Sequence, residues 1–392
     1  MNDKLNLNRK HSNFSFKNKL SSEPHSIRKL AIICGGTGGH FYPGLTIARK
    51  FNSIQDQQVC LYIGGHKVGN QKKEAAQFRI SIKEVKSARI SKHPIKLILF
   101  FCSLVKGFIQ GRKFLKEFNP DAVLAMGSFT SIPISLAAIN LKIPLFLHDG
   151  NAKVGRANIF LSKWAKCIMT AFPPENKNLL KCKHILTGMP LRPEISKCQL
   201  NKDEAIRKLN EEYNGCMDPN FQTILVFGGS QGAATINRVI PETIPLLNHK
   251  CIQIIHLTGK VDLDTIQKKY SENSINHLVL PYSDKMSWLY SAADLIICRS
   301  GGSTISELIF FKKPAILIPY PLASDLHQNA NAEVYLQSGI AEIVENPECT
   351  KNRMQKIISK FLHTDNQTSE LFSLPNEISN ATDHILQLLN IK

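Results

Sequence analysis

The sequence predicts an α/β protein of two Rossmann-like domains that face each other across a cleft. Apolar runs of strand length alternate with helical stretches, which is typical of a parallel sheet covered by helices. Three of these runs lead directly into a glycine-rich loop that is followed by a helix. This unit begins again near the middle of the 392 residues, a length that suits two domains.

The first unit opens the amino-terminal domain. Leu30–Cys34 is a short, continuous apolar run of the kind that is buried in a parallel sheet. It leads into the loop GGTGGH at residues 35–40. Pro43 is predicted to open the following helix, because proline favours the first helical position. Further strands are predicted at 59–65, 122–128 and 143–149.

The unit recurs after a turn-rich, polar stretch around residues 188–220. Strand Thr223–Phe227 leads into the loop GGSQG, and strand Leu295–Arg299 leads into SGGST. A last helix at about 376–392 could pack back on the amino-terminal domain. The sequence thus predicts a mobile basic extension at residues 1–28, an amino-terminal domain at 29–190 and a carboxy-terminal domain at 191–375.

The composition predicts a folded, reduced chain with an anionic partner. With 43% hydrophobic and 20% charged residues, global disorder is excluded. The 49 basic and 31 acidic residues give a net charge of +18, which favours nucleic acid, an acidic membrane or phosphorylated substrates. None of the ten cysteines forms a CxxC motif, so we expect a cytoplasmic protein without a disulfide framework.

The sequence predicts neither a secretory signal nor a membrane-spanning helix. The polar extension lacks the apolar core of a signal peptide. The longest apolar run, Leu97–Val105, is nine residues long, whereas a spanning helix needs about 20. We therefore expect a protein that can lie on a membrane but does not cross it.

The glycine loops are candidate phosphate sites. Glycine lets a ligand approach the backbone, and the helix that follows offers free N–H groups and partial positive charge. The loops match neither the dinucleotide fingerprint nor the P-loop, so the sequence supports neither NAD nor P-loop nucleotide binding. A single loop is equally well explained as a tight turn, but three in the same place of the unit favour ligands.

His40 closes the first loop and is predicted to lie just before the helix, at the edge of the cleft. A lone histidine is usually structural. An imidazole near neutral pKa is also the usual general base for a hydroxyl nucleophile, and a helix amino terminus would keep it neutral. Both interpretations stay open on the residues alone.

Two further segments have a structural and a functional interpretation. Thr304 and Glu307 match a helix capping box, but they could also bind phosphate and a ribose diol. The polar cluster at 325–332 follows an apolar strand and could either cap the next helix or recognise sugar hydroxyls. The DxD sequence at 262–264 lies in a polar, helix-like stretch, so we expect no metal site there.

These segments together resemble the MurG family, the UDP-N-acetylglucosamine: undecaprenyl-pyrophosphoryl-MurNAc-pentapeptide N-acetylglucosaminyltransferases of bacterial cell-wall synthesis. The resemblance runs from about Lys29 to at least Val344. Seven motifs carry it, in the order GGTGGHFYPGL, MGSFTSIP, HDGNAKVGRAN, GMPLR, GGSQGAATIN, ADLIICRSGGSTISEL and DLHQNANA.

The resemblance implies a GT-B glycosyltransferase fold and a specific reaction. The carboxy-terminal half would hold UDP-GlcNAc, and the amino-terminal half would meet the lipid acceptor, lipid I. GlcNAc would pass to the C4 hydroxyl of MurNAc with inversion, giving lipid II and UDP, without a metal or other cofactor. The enzyme would be peripheral on the cytoplasmic face of the inner membrane, near other cell-wall and division proteins, with no nucleic-acid partner.

The resemblance also implies a role for each matching residue. His40 would be the general base. Gly35, Gly36 and Thr37 would face the acceptor's pyrophosphate, and Phe129 would lie on the acceptor side. The implied donor-binding residues are Thr37, Gly38, Gly39, Asn151, Arg192, Ser230, Tyr282, Ser283, Ser303, Thr304, Glu307, His327 and Gln328.

Within the donor site, Ser303 and Thr304 would bind the phosphates, and Glu307 would bind the ribose. The other positions divide among the nucleotide (Arg192, Ser230), the uracil pocket (Tyr282, Ser283) and the GlcNAc hydroxyls (Asn151, His327, Gln328).

The chain departs from the family pattern at three motifs. HDGN at 148–151 stands where the family usually has HEQN. Phe129 stands where the family usually has tyrosine, so any contact of a phenolic hydroxyl with the acceptor is lost or supplied elsewhere. His327-Gln328 replaces the usual Gln-Gln pair, a variant that we expect to be tolerated.

Three alternatives remain on the sequence. Another GT-B glycosyltransferase could act on a membrane lipid of the diacylglycerol type, and a sugar-nucleotide epimerase could share the fold. A basic nucleic-acid-binding protein would explain the net charge, but the sequence has no RNP, KH or zinc pattern, and the three glycine loops would be unexplained.

The charge is concentrated in two segments. Residues 1–29 carry seven basic and two acidic residues, and residues 86–118 carry eight basic and one acidic residue. The second segment also contains the longest apolar run, a composition that favours contact with anionic lipid, although its apolar stripe could instead be core. The predicted membrane-facing side chains are Lys92, Lys96, Lys106, Arg112 and Lys113.

Overall fold

A computed structural model describes residues 27–64, 68–87, 94–229, 232–247, 251–259, 263–323, 326–363 and 380–389. The basic extension up to residue 26, Lys92, Ser230 and the first aspartate of the DxD sequence lie outside the described residues. For Lys96 the structure describes only the backbone.

The amino-terminal domain contains a seven-stranded sheet in the order β3-β2-β1-β4-β5-β6-β7, and the paired strands run parallel. Its strands are β1 Lys29–Gly35, β2 Gln58–Gly64, β3 Ser81–Val85, β4 Ala122–Ala125, β5 Leu145–Asp149, β6 Cys167–Thr170 and β7 Lys183–Leu186. Its helices are α1 Gly38–Asn52, α2 Gly69–Gln77, α3 Pro94–Phe118, α4 Ile132–Asn140 and α5 Arg156–Leu161.

The carboxy-terminal domain contains a six-stranded parallel sheet in the order β10-β9-β8-β11-β12-β13. Its strands are β8 Gln222–Phe227, β9 Ile252–Leu257, β10 Asn276–Leu280, β11 Leu295–Cys298, β12 Ala315–Leu317 and β13 Ala341–Ile343. The helices after β7 are α6 Pro193–Ser196, α7 Lys202–Tyr213, α8 Ala234–Thr243, α9 Leu263–Glu272, α10 Met286–Ala292, α11 Gly302–Phe311, α12 His327–Leu336, α13 Lys351–His363 and α14 Ala381–Leu388.

The sheets are buried on both faces, which explains why their strands read as continuous apolar runs. In β1, Leu30 and Ile32 pack into the cluster on one face, and Ala31 and Ile33 pack into the cluster on the other. All four side chains are fully buried. The predicted doubly wound α/β architecture is therefore confirmed, with one such sheet in each half of the chain.

In both sheets the order of the strands reverses at a strand that precedes a glycine loop. β1 pairs with β2 on one side and with β4 on the other, and β8 lies in the same way between β9 and β11. Ligands of such sheets bind outside the carboxyl ends of the strands at this switch point. The fold thus places one candidate binding crevice on each domain.

The start of α1 differs from the prediction. The helix begins at Gly38, and Pro43 lies inside it as the sixth helical residue. The proline removes only the N–H that would have bonded to Gly39, so the helix tolerates it one turn from its start. As a result His40 lies in the first turn of α1 and not in the loop before it.

The last helix, α14, packs on the amino-terminal domain although it follows the carboxy-terminal one. Ile385, Leu386 and Leu389 belong to the same buried cluster as Phe51 of α1. Lys50 and Asp383 form an ion pair of 3.3 Å across this contact. The chain therefore passes between the two domains twice.

Glycines allow α3 to pack closely against α4. A Cβ on Gly107 would lie 3.0 Å from Pro133, and a Cβ on Gly111 would lie 3.0 Å from Ile134. The opposite face carries exposed apolar side chains, with 54% of Val105 and 62% of Ile109 accessible. Among the described residues no helix combines the length and apolar character needed to pass through a bilayer.

We predict that α14 stabilises the amino-terminal domain through Ile385. This side chain is fully buried, so Ile385→Ala should lower the free energy of unfolding by about 2–5 kcal/mol, the usual cost of truncating a core aliphatic side chain. Urea denaturation measures the change. Gln387→Ala, on the exposed side of the same helix, is the control and should unfold like the parent. Equal stability of the Ile385 variant would contradict the docking of α14.

Candidate active site

The candidate site lies between the carboxyl ends of β1, β4 and β5 in one domain and the start of α11 in the other. The two domains touch there, because a Cβ on Gly302 would overlap the carbonyl oxygen of Gly150. Gly302 is the first residue of α11, and Gly150 follows directly after β5. The contact brings the first and third predicted glycine loops to one cleft.

His40 is held in a fixed orientation by backbone groups. Its Nδ1 lies 2.8 Å from the carbonyl oxygen of Met126, which can only accept a hydrogen bond. In the neutral imidazole Nδ1 therefore carries the hydrogen, and Nε2 is the nitrogen that can accept a proton. A Cβ on Gly35 would lie 3.2 Å from the ring, and a Cβ on Gly127 would lie 3.3 Å from it. Glycine at both positions makes room for the imidazole.

The surroundings of His40 keep it neutral. Burial lowers the pKa of its imidazole, while the Asp149 carboxylate and the bond to Met126 raise it and His327 lowers it. Since burial is the largest of these effects, the pKa lies below the ordinary value of a histidine. His327 lies on α12 of the other domain, so the pKa of His40 depends on a charge that comes from across the cleft.

The loop before His40 is open to solvent. Gly36, Thr37, Gly38 and Gly39 are exposed, and the Thr37 side chain makes no capping hydrogen bond to α1. The amides at the start of a helix have no partner within the helix, so this loop can accept an anion. This geometry suits the predicted pyrophosphate contact.

Asp149 organises the loop that follows β5. Its carboxylate accepts hydrogen bonds from the backbone N–H groups of Asn151 and Gly155, at 3.1 and 2.9 Å. It also accepts from the side-chain amides of Asn151 and Asn158, at 3.2 and 3.0 Å. The sequence interpretation treated Asp149 only as a departure from a motif. Its signal in the sequence was its place at the carboxyl end of a strand, two residues before the predicted sugar contact Asn151.

The start of α11 excludes the capping-box interpretation of Thr304 and Glu307. Gly301 is the N-cap, so Thr304 is the third helical residue and Glu307 the sixth, which is too far along to cap. The hydroxyl of Ser303 is buried and has no hydrogen-bond partner among the described residues. An unpaired buried hydroxyl beside a helix amino terminus is the arrangement expected where an anionic ligand completes the site.

Glu307 is a buried carboxylate at the edge of this site. It accepts a hydrogen bond of 2.8 Å from the Tyr290 hydroxyl and lies 3.7 Å from the Arg192 guanidinium. Burial raises the pKa of the Glu307 carboxyl, and Arg192 and Tyr290 oppose that effect. Arg192 also lies 4.9 Å from the ring of Tyr42 on α1, so it joins the donor side of the cleft to the helix that carries His40.

The other carboxy-terminal candidates lie at two separate places. His327 and Gln328 begin α12, and the Gln328 side chain accepts a hydrogen bond of 2.9 Å from the Tyr320 N–H. Tyr282 is 77% exposed after β10, three strands from β11, and Ser283 lies beside it. The structure therefore brings α12 to the cleft but leaves the predicted uracil contacts at the far edge of the sheet.

The remaining candidates of the amino-terminal domain lie on α3 and in the turn after β4. Phe129 is half-buried in a short 3-10 turn, Phe129–Ser131, after β4. Lys106 and Arg112 are exposed on α3, and the Arg112 guanidinium donates to Asn140 over 2.9 Å. Among the described residues no group of three or more histidine, cysteine or acidic side chains could hold a metal ion.

Family comparisons assign both domains to one group of enzymes. Residues 30–170 match the glycosyltransferase family 28 N-terminal domain. Residues 223–387 match the glycosyltransferase family 28 C-terminal domain. The two matched segments each include one of the switch-point strands, β1 and β8.

Relatives match nearly the whole chain. The UDP-N-acetylglucosamine--N-acetylmuramyl-(pentapeptide) pyrophosphoryl-undecaprenol N-acetylglucosamine transferase of Trichlorobacter lovleyi is 32% identical over 342 residues, covering 85% of this chain and 90% of that protein. The transferase of the same name from Protochlamydia amoebophila is 35% identical over 338 residues, covering 84% and 88%.

Solved structures agree with the relatives. MurG of Acinetobacter baumannii superposes with a TM-score of 0.71 at 26% identity, over 92% of this chain and 99% of that one. A UDP-GlcNAc 2-epimerase from Neisseria meningitidis has a TM-score of 0.63 at 15% identity, over 92% and 99%, and shares the fold alone. The extent of these matches over both domains shows that this chain belongs to the MurG family of glycosyltransferases.

Proposed function

We propose that this chain transfers GlcNAc from UDP-GlcNAc to the C4 hydroxyl of MurNAc in undecaprenyl-pyrophosphoryl-MurNAc-pentapeptide, forming lipid II and UDP with inversion at the anomeric carbon. The relatives in Trichlorobacter lovleyi and Protochlamydia amoebophila are named for this transfer. The observation that carries the proposal is the neutral His40, which presents Nε2 in a cleft whose opposite wall is the amino terminus of α11.

His40 acts as the general base in this proposal. Nε2 takes the proton of the C4 hydroxyl while the hydroxyl oxygen forms its bond to the anomeric carbon of GlcNAc. The bond between that carbon and the phosphate oxygen breaks, and UDP leaves with the electron pair. The carbonyl of Met126 holds the imidazole through Nδ1 and favours the imidazolium formed in the step, since an Nδ1–H donor bonds more strongly when the ring is charged.

The start of α11 receives the leaving group. The first amides of this ten-residue helix point out of its amino terminus, where the helix dipole stabilises the developing charge on UDP. Ser303 supplies the hydroxyl that is unpaired in the free protein, and Thr304 lies next to it in the first turn. Binding of a diphosphate would therefore satisfy a polar group that is otherwise buried at a cost.

The ribose, sugar and uracil contacts are assigned around this helix. Glu307 lies four residues, about one turn, after Ser303 on α11, with its carboxylate oriented by Tyr290 and Arg192. Asn151 of the other domain and the start of α12 flank the position of GlcNAc. The remaining donor contacts are proposed as predicted from the sequence, at Thr37, Gly38, Gly39, Ser230, Tyr282, Ser283, His327 and Gln328.

We assign the membrane contact to α3. The tight packing of α3 against α4 leaves Val105 and Ile109 exposed beside Lys106, and Arg112 follows one turn later. Apolar and basic side chains together suit the surface of an anionic bilayer, where the lipid acceptor is embedded. We accordingly propose that the enzyme works at the cytoplasmic face of the inner membrane, with the Gly35 and Phe129 side of the amino-terminal domain toward the acceptor.

We predict that His40→Ala lowers kcat by on the order of 10²–10⁴-fold, the usual contribution of a positioned general base. Transfer of labelled GlcNAc to a short-chain lipid I analogue measures the rate. Thermal stabilisation by UDP-GlcNAc, which follows from mass action, should be retained and serves as the control for folding and donor binding. Near-normal turnover of the variant would refute the assignment. Stronger stabilisation by UDP-glucose than by UDP-GlcNAc would instead indicate a different donor.

We also predict the acid limb of the pH profile. Because burial lowers the pKa of His40, the base stays deprotonated below the ordinary histidine value of about 6.5. The kcat/KM of the parent should therefore stay level as the pH falls to about 6.5 and should decline only below it. His40→Ala should lose this inflection. An inflection of the parent above pH 7 would contradict a buried, neutral base.

Neutralising α3 should weaken membrane binding selectively. Changing Lys106, Arg112 and Lys113 to glutamine removes three exposed charges, each worth about 1 kcal/mol near an anionic surface, so affinity for phosphatidylglycerol vesicles should fall on the order of 10–100-fold. Vesicle sedimentation measures binding, and UDP affinity should be unchanged. The matched control changes three exposed lysines of the carboxy-terminal domain, Lys268, Lys351 and Lys356. Equal vesicle binding by both triple variants would exclude α3 as the contact.

A further inference from the structure

Asn331 lies at the contact between the two domains. It is on α12, four residues after His327, and its side chain is fully buried. Its Oδ1 accepts a hydrogen bond of 2.8 Å from the Ala152 N–H. Its Nδ2 donates to the Asn151 Oδ1 and to the Ser300 carbonyl oxygen, each over 3.1 Å.

The partners of this one amide come from both domains. Asn151 and Ala152 follow β5 in the amino-terminal domain, whereas Ser300 lies between β11 and α11 in the carboxy-terminal domain. The orientation of the amide is fixed, because a flipped amide would set its oxygen against two acceptors and its N–H groups against a donor. Asn331 therefore links the two domains through three directional hydrogen bonds, which form only when the domains lie in this relative position.

The amide of Asn151 is held at both of its ends. Its Nδ2 donates to Asp149 Oδ1 over 3.2 Å, and its Oδ1 accepts from Asn331. A continuous chain of hydrogen bonds thus runs from Asp149, whose charge acts on His40, through Asn151 and Asn331 to Ser300 before α11. The chain links the proposed sugar contact to the loop before the leaving-group helix, and at its other end the charge of Asp149 acts on the base.

The backbones of the two domains are in close contact beside this bridge. A Cβ on Gly302 would overlap the Gly150 carbonyl oxygen and would lie 3.4 Å from the Asn151 Oδ1. The bridge by Asn331 is therefore made where the two domains are in van der Waals contact, and small shifts between the domains would break it.

We propose that Asn331 is a positioning residue for the transfer reaction, which holds the two domains in the relative arrangement described here and fixes the Asn151 amide for the donor sugar. This inference rests on the proposed function. Asn331 itself reaches neither His40 nor Ser303 through a hydrogen bond that the structure describes. Its effect is exerted through Asn151 and Ala152 on one side and Ser300 on the other.

The test compares two substitutions that remove the bridge in different ways. Asn331→Asp keeps the shape but sets a carboxylate oxygen against two acceptor oxygens, and Asn331→Ala removes the amide without adding charge. The matched control is Asn329→Ala on the same helix, because Asn329 bonds over 2.8 Å to Glu345 within the carboxy-terminal domain. The Ala variant keeps the proposal testable if the buried carboxylate prevents folding.

Both Asn331 variants should lose kcat on the order of 10–100-fold, the effect of a misplacement of about 1 Å in a reacting pair. UDP affinity should change less than about twofold, because the bridge does not hold the nucleotide. Hydrogen exchange should show the Ala152 amide losing its protection, while Asn329→Ala resembles the parent in all three measurements. Loss of UDP affinity in parallel with kcat, or full kcat with unchanged Ala152 protection, would overturn the proposal.

Failure of the two proposals can be told apart. Absence of GlcNAc transfer by the parent enzyme would refute the proposed function, whatever the variants do. The Ala152 amide and the affinity for UDP would still report whether Asn331 bridges the domains. Faster exchange at Ala152 in both Asn331 variants, but not in Asn329→Ala, would support the bridge, and equal exchange in all of them would exclude it.

Discussion

The contact between Gly302 and Gly150 is the constraint on which the site depends. Neither residue has a side chain there, so the first turn of α11 can approach the loop after β5 without a layer of water. The contact brings the imidazole on α1 and the amino terminus of α11 to one cleft. A two-domain transferase divides its substrates between two crevices, and only such a close approach turns those crevices into one reaction centre.

Backbone groups set the chemistry of the centre more than charged side chains do. The Met126 carbonyl selects the tautomer of His40, and the turn through Gly127 leaves space for the ring. The start of α11 supplies positive potential from peptide dipoles, which are oriented before any ligand binds. Since these groups are fixed by the strands that precede them, the sheets themselves carry much of the catalytic preorganisation.

The fold and the reaction class were predictable from the sequence, but the local geometry was not. Continuous apolar strands and glycine loops depend on nearest neighbours, so they can be read from the chain. The inclusion of Pro43 in α1 and the start of α11 at Gly302 depend on which residue becomes the N-cap, which tertiary packing decides. The role of Asn331 depends on a partner 180 residues away, which no local pattern reports, whereas the hydrogen-bond partners of the Asp149 carboxylate lie within nine residues of it.

The return of α14 to the amino-terminal domain has a mechanical consequence. A single connection between the domains would leave them free to twist relative to each other as well as to open. Two crossings of the chain, one after β7 and one between α13 and α14, restrict the relative twisting of the domains more than a single crossing would.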